Sequence, residues 1–290
     1  MDLLKQKYVL LLFFVFSQSF SQSKLESFLL PSDTLNTSRR SLVLISEASI
    51  ATASLAGLHQ LWYADYAKSK FHTIDDNNEW LQMDKMGHMF SAYQLGRFVA
   101  SILNWSGVGK KDQLLYGATL GFGFLTAVEV FDGFSKEWGF SWSDILANAT
   151  GKGLYIGQEL LWNEQSITIK FSFHQTAFAP KNPEKLGNGF LEEILKDYNG
   201  QTYWLDFNLH SFFKEINIPK WLDLSLGYGG QGMVSASQVI DSQLLKTNQS
   251  YRQYYLSFDI NLNKIKVKNS RFLTSLFDVL NVIKVPFPTL

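Results

Sequence analysis

At residue 164 the hydrophobic period of this 290-residue chain changes from helical to two, and that switch constrains the fold more than any other feature. Before it, apolar residues recur at helical spacing. After it, Ile167, Ile169, Phe171 and Phe173 alternate with Ser166, Thr168, Lys170 and Ser172. The same alternation returns over 203–209, 222–228 and 254–262. Helices followed by separate, one-sided strands define an α+β arrangement. The expectation is a four-helix, bundle-like unit followed by an antiparallel β-sheet of at least four strands. The apolar face of that sheet should be buried on the helices, with its polar face in water.

Helices are expected at about 41–66, 84–105, 111–132 and 141–162. Asp84 reads as an N-cap. Ser141 and Asp144 read as a capping box, with Ser three residues ahead of an acid before an apolar run. Gly117, Gly121 and Gly123 suggest close helix contacts. The segment 67–82, with Asp75, Asp76 and Asn77, reads as a polar loop. A short helix is expected at 190–198. Lys264, Lys266, Lys268 and Arg271 form a basic cluster ahead of Phe272, Leu276, Leu280 and Ile283, which recur at helical spacing until Pro286 and Pro288. Such a tail would lie on an anionic membrane or dock on the sheet.

The first residues look like an export signal. Lys5 and Lys7 precede an apolar run over 8–16, too short to cross a bilayer. Ser19 and Ser21 fit the small positions before a cleavage site. The chain then divides into a signal peptide at 1–21, a polar leader at 22–40, a helical domain at 41–163, a β region at 164–263 and a basic amphipathic tail at 264–290. Lysine and arginine total 26 and aspartate and glutamate 26, so no basic field exists to attract nucleic acid. The chain has no cysteine, which excludes disulfides, thiolate chemistry and lipid attachment through an N-terminal Cys.

Three polar groups interrupt the helical half. Asp84, Lys85 and His88 fall on one stretch, with Asp84 and His88 four apart on one helix face. Glu129 and Asp132 end the third helix. Ser141, Asp144 and Asn148 open the fourth. Caps account for Asp84 and Asp144 but not for Glu129, which sits inside the apolar run 114–131. A buried lone carboxylate is costly, so Glu129 should be paired, solvated or protonated, with Lys85 or His88 as its partner. Three roles are open to this set: a structural polar network, a ligand or head-group site, or a hydrolytic site. In the last, His88, Glu129, Asp132 and Asp144 would hold a divalent metal. No other cofactor is expected.

The order Asp-Lys-x-x-His, Glu-x-x-Asp and Ser-Trp-x-Asp-x-x-x-Asn-x-x-Gly resembles the YfiM-like family of predicted periplasmic lipoproteins over about residues 80–157. It is more distantly similar to VanZ-like membrane proteins. The resemblance implies an envelope protein, exported to the periplasm or the periplasmic face of the outer membrane. The resulting expectation is a non-catalytic binding or scaffolding module. Its partner would be a membrane surface or an envelope lipid, not a nucleic acid. A metal-assisted hydrolase of envelope lipid or glycan and an integral VanZ-like protein are the alternatives. Gly227–Gly232 matches G-x-G-x-x-G in form only. No helix is expected after it, so it reads as a glycine-rich hairpin or bulge and no nucleotide is expected. His59 and His72, beside the aromatic run 62–66, read as packing residues, and His174 and His210 as surface residues on strands.

Overall fold

The computed structural model describes residues 22–64, 66–236, 249–268, 270–285 and 287–289. The expected signal segment and Pro286 lie outside the described residues. The segment read as a polar leader contains helix α1 (Gln22–Leu29) and the start of α2 (Thr37–Leu58). Asn36 starts α2 earlier than its apolar pattern suggests, because its side chain accepts the Arg39 amide at 3.0 Å and satisfies one of the orphan donors of the first turn.

The helical core is made of α3 (Met83–Trp105), α4 (Ala118–Asp132) and α5 (Trp142–Leu161). A π-helical turn, Gln113–Gly117, leads into α4. Tyr93, Ala100, Leu114, Ala118 and Tyr155 pack between these helices. Gly117, Gly121 and Gly151 set how closely the helices approach, a Cβ on Gly117 falling 2.7 Å from the Ala100 Cα. A Cβ on Gly151 would sit 2.1 Å from the Met89 carbonyl oxygen, and one on Gly121 would sit 2.8 Å from the Leu95 Cβ. Gly123 meets nothing, so the third glycine expected at a helix contact has no such role. Helix α2 lies outside this core, with Val43 its buried residue, packed against Val99 and Leu103. By length and composition, α2 and the segment Lys110–Asp132 are apolar enough to cross a membrane.

A short parallel pair, β1 (Thr73–Ile74) with β2 (Phe140–Ser141), ties the 67–82 segment to the start of α5. The chain then enters α3 through three consecutive left-handed residues, Trp80, Leu81 and Gln82, with φ of 46°, 52° and 62°. Each such non-glycine residue costs about 1–2 kcal/mol. Three contacts hold the turn in place. The Trp80 amide donates to the Ala236 carbonyl at 2.9 Å, the Tyr228 hydroxyl donates to the Leu81 carbonyl, and Leu81 is buried beside Met83 and Tyr203. Gln82, not Asp84, therefore stands at the cap of α3, and the Asp84 carboxylate is free for other partners.

Strands β3 (Ile167–Phe173), β4 (Gln201–Asn208), β5 (Leu222–Gln231) and β6 (Tyr251–Ile260) form an antiparallel meander in that order. A helix, α6 (Phe190–Lys196), lies between β3 and β4. The glycine run at 227–230 stays within β5. His210 lies in the short helix Leu209–Phe212 rather than on a strand.

One face of the sheet is apolar across its middle rows: Ile169, Leu205, Leu226 and Leu256 stand in register, as do Phe171, Tyr203, Tyr228 and Tyr254. Among the described residues the helices cover this face at β3 and β4, where Ile169 and Leu205 meet Tyr93 and Tyr155, and the entry to α3 half-covers Tyr228 of β5 through Leu81 and Met83. Elsewhere on β5 and β6 the face is open: Leu226, Leu256 and Phe258 are 48%, 42% and 49% exposed.

The polar face, expected in water, is instead buried. Lys170, Asp206, Asp223, Ser225 and Asp259 are all at 0–1% exposure. The cause is curling of the sheet, which brings its first and fourth strands together. Lys170 Nζ on β3 lies 2.7 Å from Asp259 Oδ2 on β6 and 3.3 Å from Asp206 Oδ2. Asn208 and Asn261 donate to the two oxygens of Asp223 at 2.6 and 3.0 Å. The C-terminal segment completes the closure by bridging Phe171 of β3 to Ile283 and Ser257 of β6 to Thr289.

The tail helix α7 (Arg271–Leu280) docks on α3 and not on the sheet. Its Asp278 is paired with Arg97 on α3, and its apolar residues Phe272, Leu276, Val279 and Leu280 point away, 38–55% exposed. The segment after it is the part that docks on the sheet.

Candidate functional site

The left-handed entry to α3, the β1–β2 pair and the Gly151 contact converge on one end of the helical core. Asp76, Glu129, Ser141, Asp144 and Asn148 are all buried there. Lys85 Nζ is held by Asp76 at 2.6 Å, Asp144 at 2.8 Å and Asp84 at 3.3 Å. Asp76 also accepts from the Ser141 and Ser143 hydroxyls at 2.8 and 2.9 Å. The capping box at the start of α5 is half formed: the Asp144 amide donates to Ser141 Oγ at 3.2 Å. The reciprocal bond comes from another helix, because the Ser141 amide donates to Glu129 Oε2 at 3.0 Å. Glu129 takes the place of the capping acid, and Asp144 turns to Lys85.

His88 stands at the centre. Its Nδ1 faces Asn148 Oδ1 at 3.0 Å. A carbonyl oxygen can only accept, so the proton belongs on Nδ1. Nε2 is thereby turned toward Glu129 Oε1 at 3.4 Å and Asp84 Oδ1 at 3.8 Å. Two tyrosines close the rim. Tyr198 donates to Asp84 Oδ1 at 2.9 Å and Tyr63 to Asp132 Oδ1 at 2.7 Å. The eight sequence-predicted residues thus fall in one neighbourhood. Asp132 is its outlier, held by Tyr63 at the end of α4.

The titration pattern follows from burial against charge. Burial pushes Glu129 up to about 8 although His88 opposes it, with Asp144 and Asp132 adding to the rise. Burial likewise lifts Asp132 to about 7 against the Tyr63 hydrogen bond. Asp144 rises through burial and the Asp84 charge. Burial works against a charged His88, yet Asp84, Asp144 and Glu129 outweigh it and hold the ring above the usual imidazole value. Asp76 goes the other way: its burial is overcome by Lys85 and the serine hydroxyls, which keep it low. At neutral pH Glu129 therefore holds a proton and Asp132 and Asp144 hold one in part, beside an imidazole whose charged form the same acids favour. The cluster can donate hydrogen bonds as well as accept them.

The cluster opens into a cleft of about 620 Å³. Leu58, Phe90, Leu95, Phe98, Phe124 and Val128 make its apolar wall, and Trp62, Trp80 and Trp138 stand at its polar end. Asp84, His88 and Asp144 each offer one ligand atom within 4.8 Å of the others, the spacing a divalent cation would need. Asp76, Ser143, Tyr63 and Tyr198 were not among the predicted site residues. Asp76 lies in a segment without periodicity, and Tyr63 lies in an aromatic run that reads as packing. Only the fold brings them near α3.

A buried acid–base cluster on three packed helices, at the mouth of an apolar cleft, defines the class of this protein's helical half. Residues 74–157 match a family described as predicted periplasmic lipoprotein (DUF2279). That segment holds Asp76 and all eight predicted site residues, and the match supports a periplasmic, exported envelope protein. The chain has no cysteine, so the thiol that lipoprotein acylation uses is lacking here. No curated protein and no solved structure matches the chain.

Proposed function

We propose that this protein is a non-catalytic binding module of the cell envelope whose helical cleft takes an acyl-chain amphiphile with an amine-bearing head. The observation that supports the reading is the junction of two unlike surfaces in one cleft of about 620 Å³: the apolar wall of Phe90, Leu95, Phe98 and Val128 and the polar group of His88, Asp84 and Glu129. Pockets that bind small molecules combine a mostly apolar lining with a few convergent polar groups. The head-group preference follows from charge. Asp76, Asp84, Glu129, Asp132 and Asp144 outnumber Lys85 and His88, and the three with raised values can give up protons as a cation approaches, so an ammonium is favoured over a second anion.

The test uses a fluorescent long-chain alkylamine and the matching alkyl carboxylate, both below micelle-forming concentration and without vesicles. The amine should bind and the carboxylate should bind more weakly. Val128→Trp, which fills the wall, should weaken the amine by about tenfold or more with an unchanged unfolding midpoint. Amine affinity unaffected by Val128→Trp would overturn the reading.

A metal-assisted hydrolase is the second reading, supported by the Asp84–His88–Asp144 spacing. Titration with zinc alone separates the two. Binding that disappears in His88→Ala favours the hydrolase, and no zinc binding removes it.

A further inference from the structure

The curled sheet is inside out. Its sealed face carries Lys170, Asp206, Asp223 and Asp259 at 0–1% exposure, whereas its outer face at β5–β6 is a ladder of Leu224–Phe258, Leu226–Leu256 and Tyr228–Tyr254 pairs in which Leu226, Tyr254, Leu256 and Phe258 are exposed and Leu224 and Tyr228 half-buried. A strand pair in water would turn the other way: burying charges while exposing matched apolar rows is the polarity of strands that face lipid. The ends of the ladder have a common character. At one end stands Tyr254, 73% exposed, with exposed Arg252 beyond it on the same face. At the other stand Trp221, 40% exposed, and exposed Lys220. Aromatic rings with a polar tip, backed by cations, are what the boundary between acyl chains and anionic head groups selects. Helix α7 repeats the inversion, with Asp278 turned to Arg97 and its apolar stripe outward.

From this we infer that the outer face of β5–β6 seats on the acyl region of an anionic bilayer. Leu226, Leu256 and Phe258 would be immersed, and Tyr254, Trp221, Lys220 and Arg252 would lie at head-group level. The inference stands on the sheet and is independent of the cleft reading. A membrane seat also fits the open Leu224–Phe258 and Leu226–Leu256 rows, which no helix among the described residues covers. A second copy of the chain is the competing occupant and is distinguished by the same experiment.

The chain has no cysteine, so single spin labels can be placed without background. Leu256→Cys and, as a remote exposed control, Asn188→Cys would be labelled and mixed with phosphatidylethanolamine–phosphatidylglycerol vesicles. The label at 256 should gain accessibility to oxygen and lose accessibility to a water-soluble nickel chelate, while the label at 188 should not change. The double variant Leu226→Glu/Leu256→Glu should lose vesicle flotation by about tenfold or more with an unchanged circular dichroism spectrum. A label at 256 that stays equally open to the nickel chelate on vesicle-bound protein overturns the proposal. So does a vesicle-free dimer in sedimentation that Leu226→Glu/Leu256→Glu dissociates, since the face would then be a protein interface. Because the cleft experiment contains no vesicles and its variant lies on α4, failure of either leaves the other intact.

Discussion

Lys85→Met is expected to lower the unfolding free energy by about 3–5 kcal/mol, the range seen when one partner of a buried ion pair is removed. The Lys85 ammonium lies within 3.3 Å of Asp76, Asp84 and Asp144 together. Methionine fills the space of the stem but leaves three carboxylates facing one another. Two of them, Asp76 and Asp144, are buried. Urea denaturation at pH 7.5 measures the loss. Lys85→Arg should recover part of it, because guanidinium keeps the charge but its planar fork does not fit three acids placed around a point. A Lys85→Met loss below about 1 kcal/mol, the value of an exposed pair, would show that the three acids are hydrated and that the cluster is no closed network.

The strained approach to α3 gives this cluster its shape. If Asp84 capped the helix, its carboxylate would bond backbone amides of the first turn. The left-handed residues at 80–82 shift the cap to Gln82, and Asp84 faces Lys85, His88 and Tyr198 instead. Strain of this kind persists only where the surroundings over-determine it, and it gathers at functional sites. Here the surroundings include Tyr228 from β5, so the sheet holds the turn that shapes the helical site. That coupling gives a physical reason for the β region to accompany the helical unit.

The fold class was legible because the two periods are unambiguous: Glu129 inside an apolar run and the alternation after residue 164 each admit few explanations. The helical triplets Asp84–Lys85–His88, Glu129–Asp132 and Ser141–Asp144–Asn148 were legible as polar interruptions of apolar stretches. Asp76 was not, because a loop carries no period and only the β1–β2 pair brings it to Ser141. The inversion of the sheet was not legible either. Alternation states which residues share a face but not which face is buried. That choice was made by Lys170, whose reach across to Asp259 needs a curled sheet and carries no local signal. The Asp84 cap failed for a related reason: three consecutive non-glycine residues with positive φ leave no mark in composition.

Lys170→Met is expected to cost about 3–5 kcal/mol at pH 8 and clearly less at pH 5. Lys170 has no exposed surface and neutralises Asp259 and Asp206, which are equally buried. Lys284, 3.7 Å from Asp259, remains as a second cation, but its ammonium donates to the Phe258 and Val285 carbonyls and so compensates Asp259 only in part. The pH dependence follows from proton linkage. Burial already raises Asp206, although Lys170 opposes it, and raises Asp223 to about 6 despite the Asn208 hydrogen bond. Carboxyls with raised values bind more protons folded than unfolded, so their contribution is complete below the unfolded value of about 4 and is lost as the pH rises through the folded value. Glu129 at about 8 acts in the same direction, and Asp76, held low, is ionised folded and unfolded above about pH 5 and adds no slope in this range. The parent protein should therefore lose stability as pH rises from 5 to 8. Without Lys170 the buried acids rise further and the fall should be steeper. Adding Asp206→Asn to Lys170→Met should restore most of the loss at pH 8, because one of the two uncompensated charges is gone. If Lys170→Met costs the same at both pH values, the sheet interior is hydrated, and the inside-out polarity on which the bilayer seat rests would lose its sealed face.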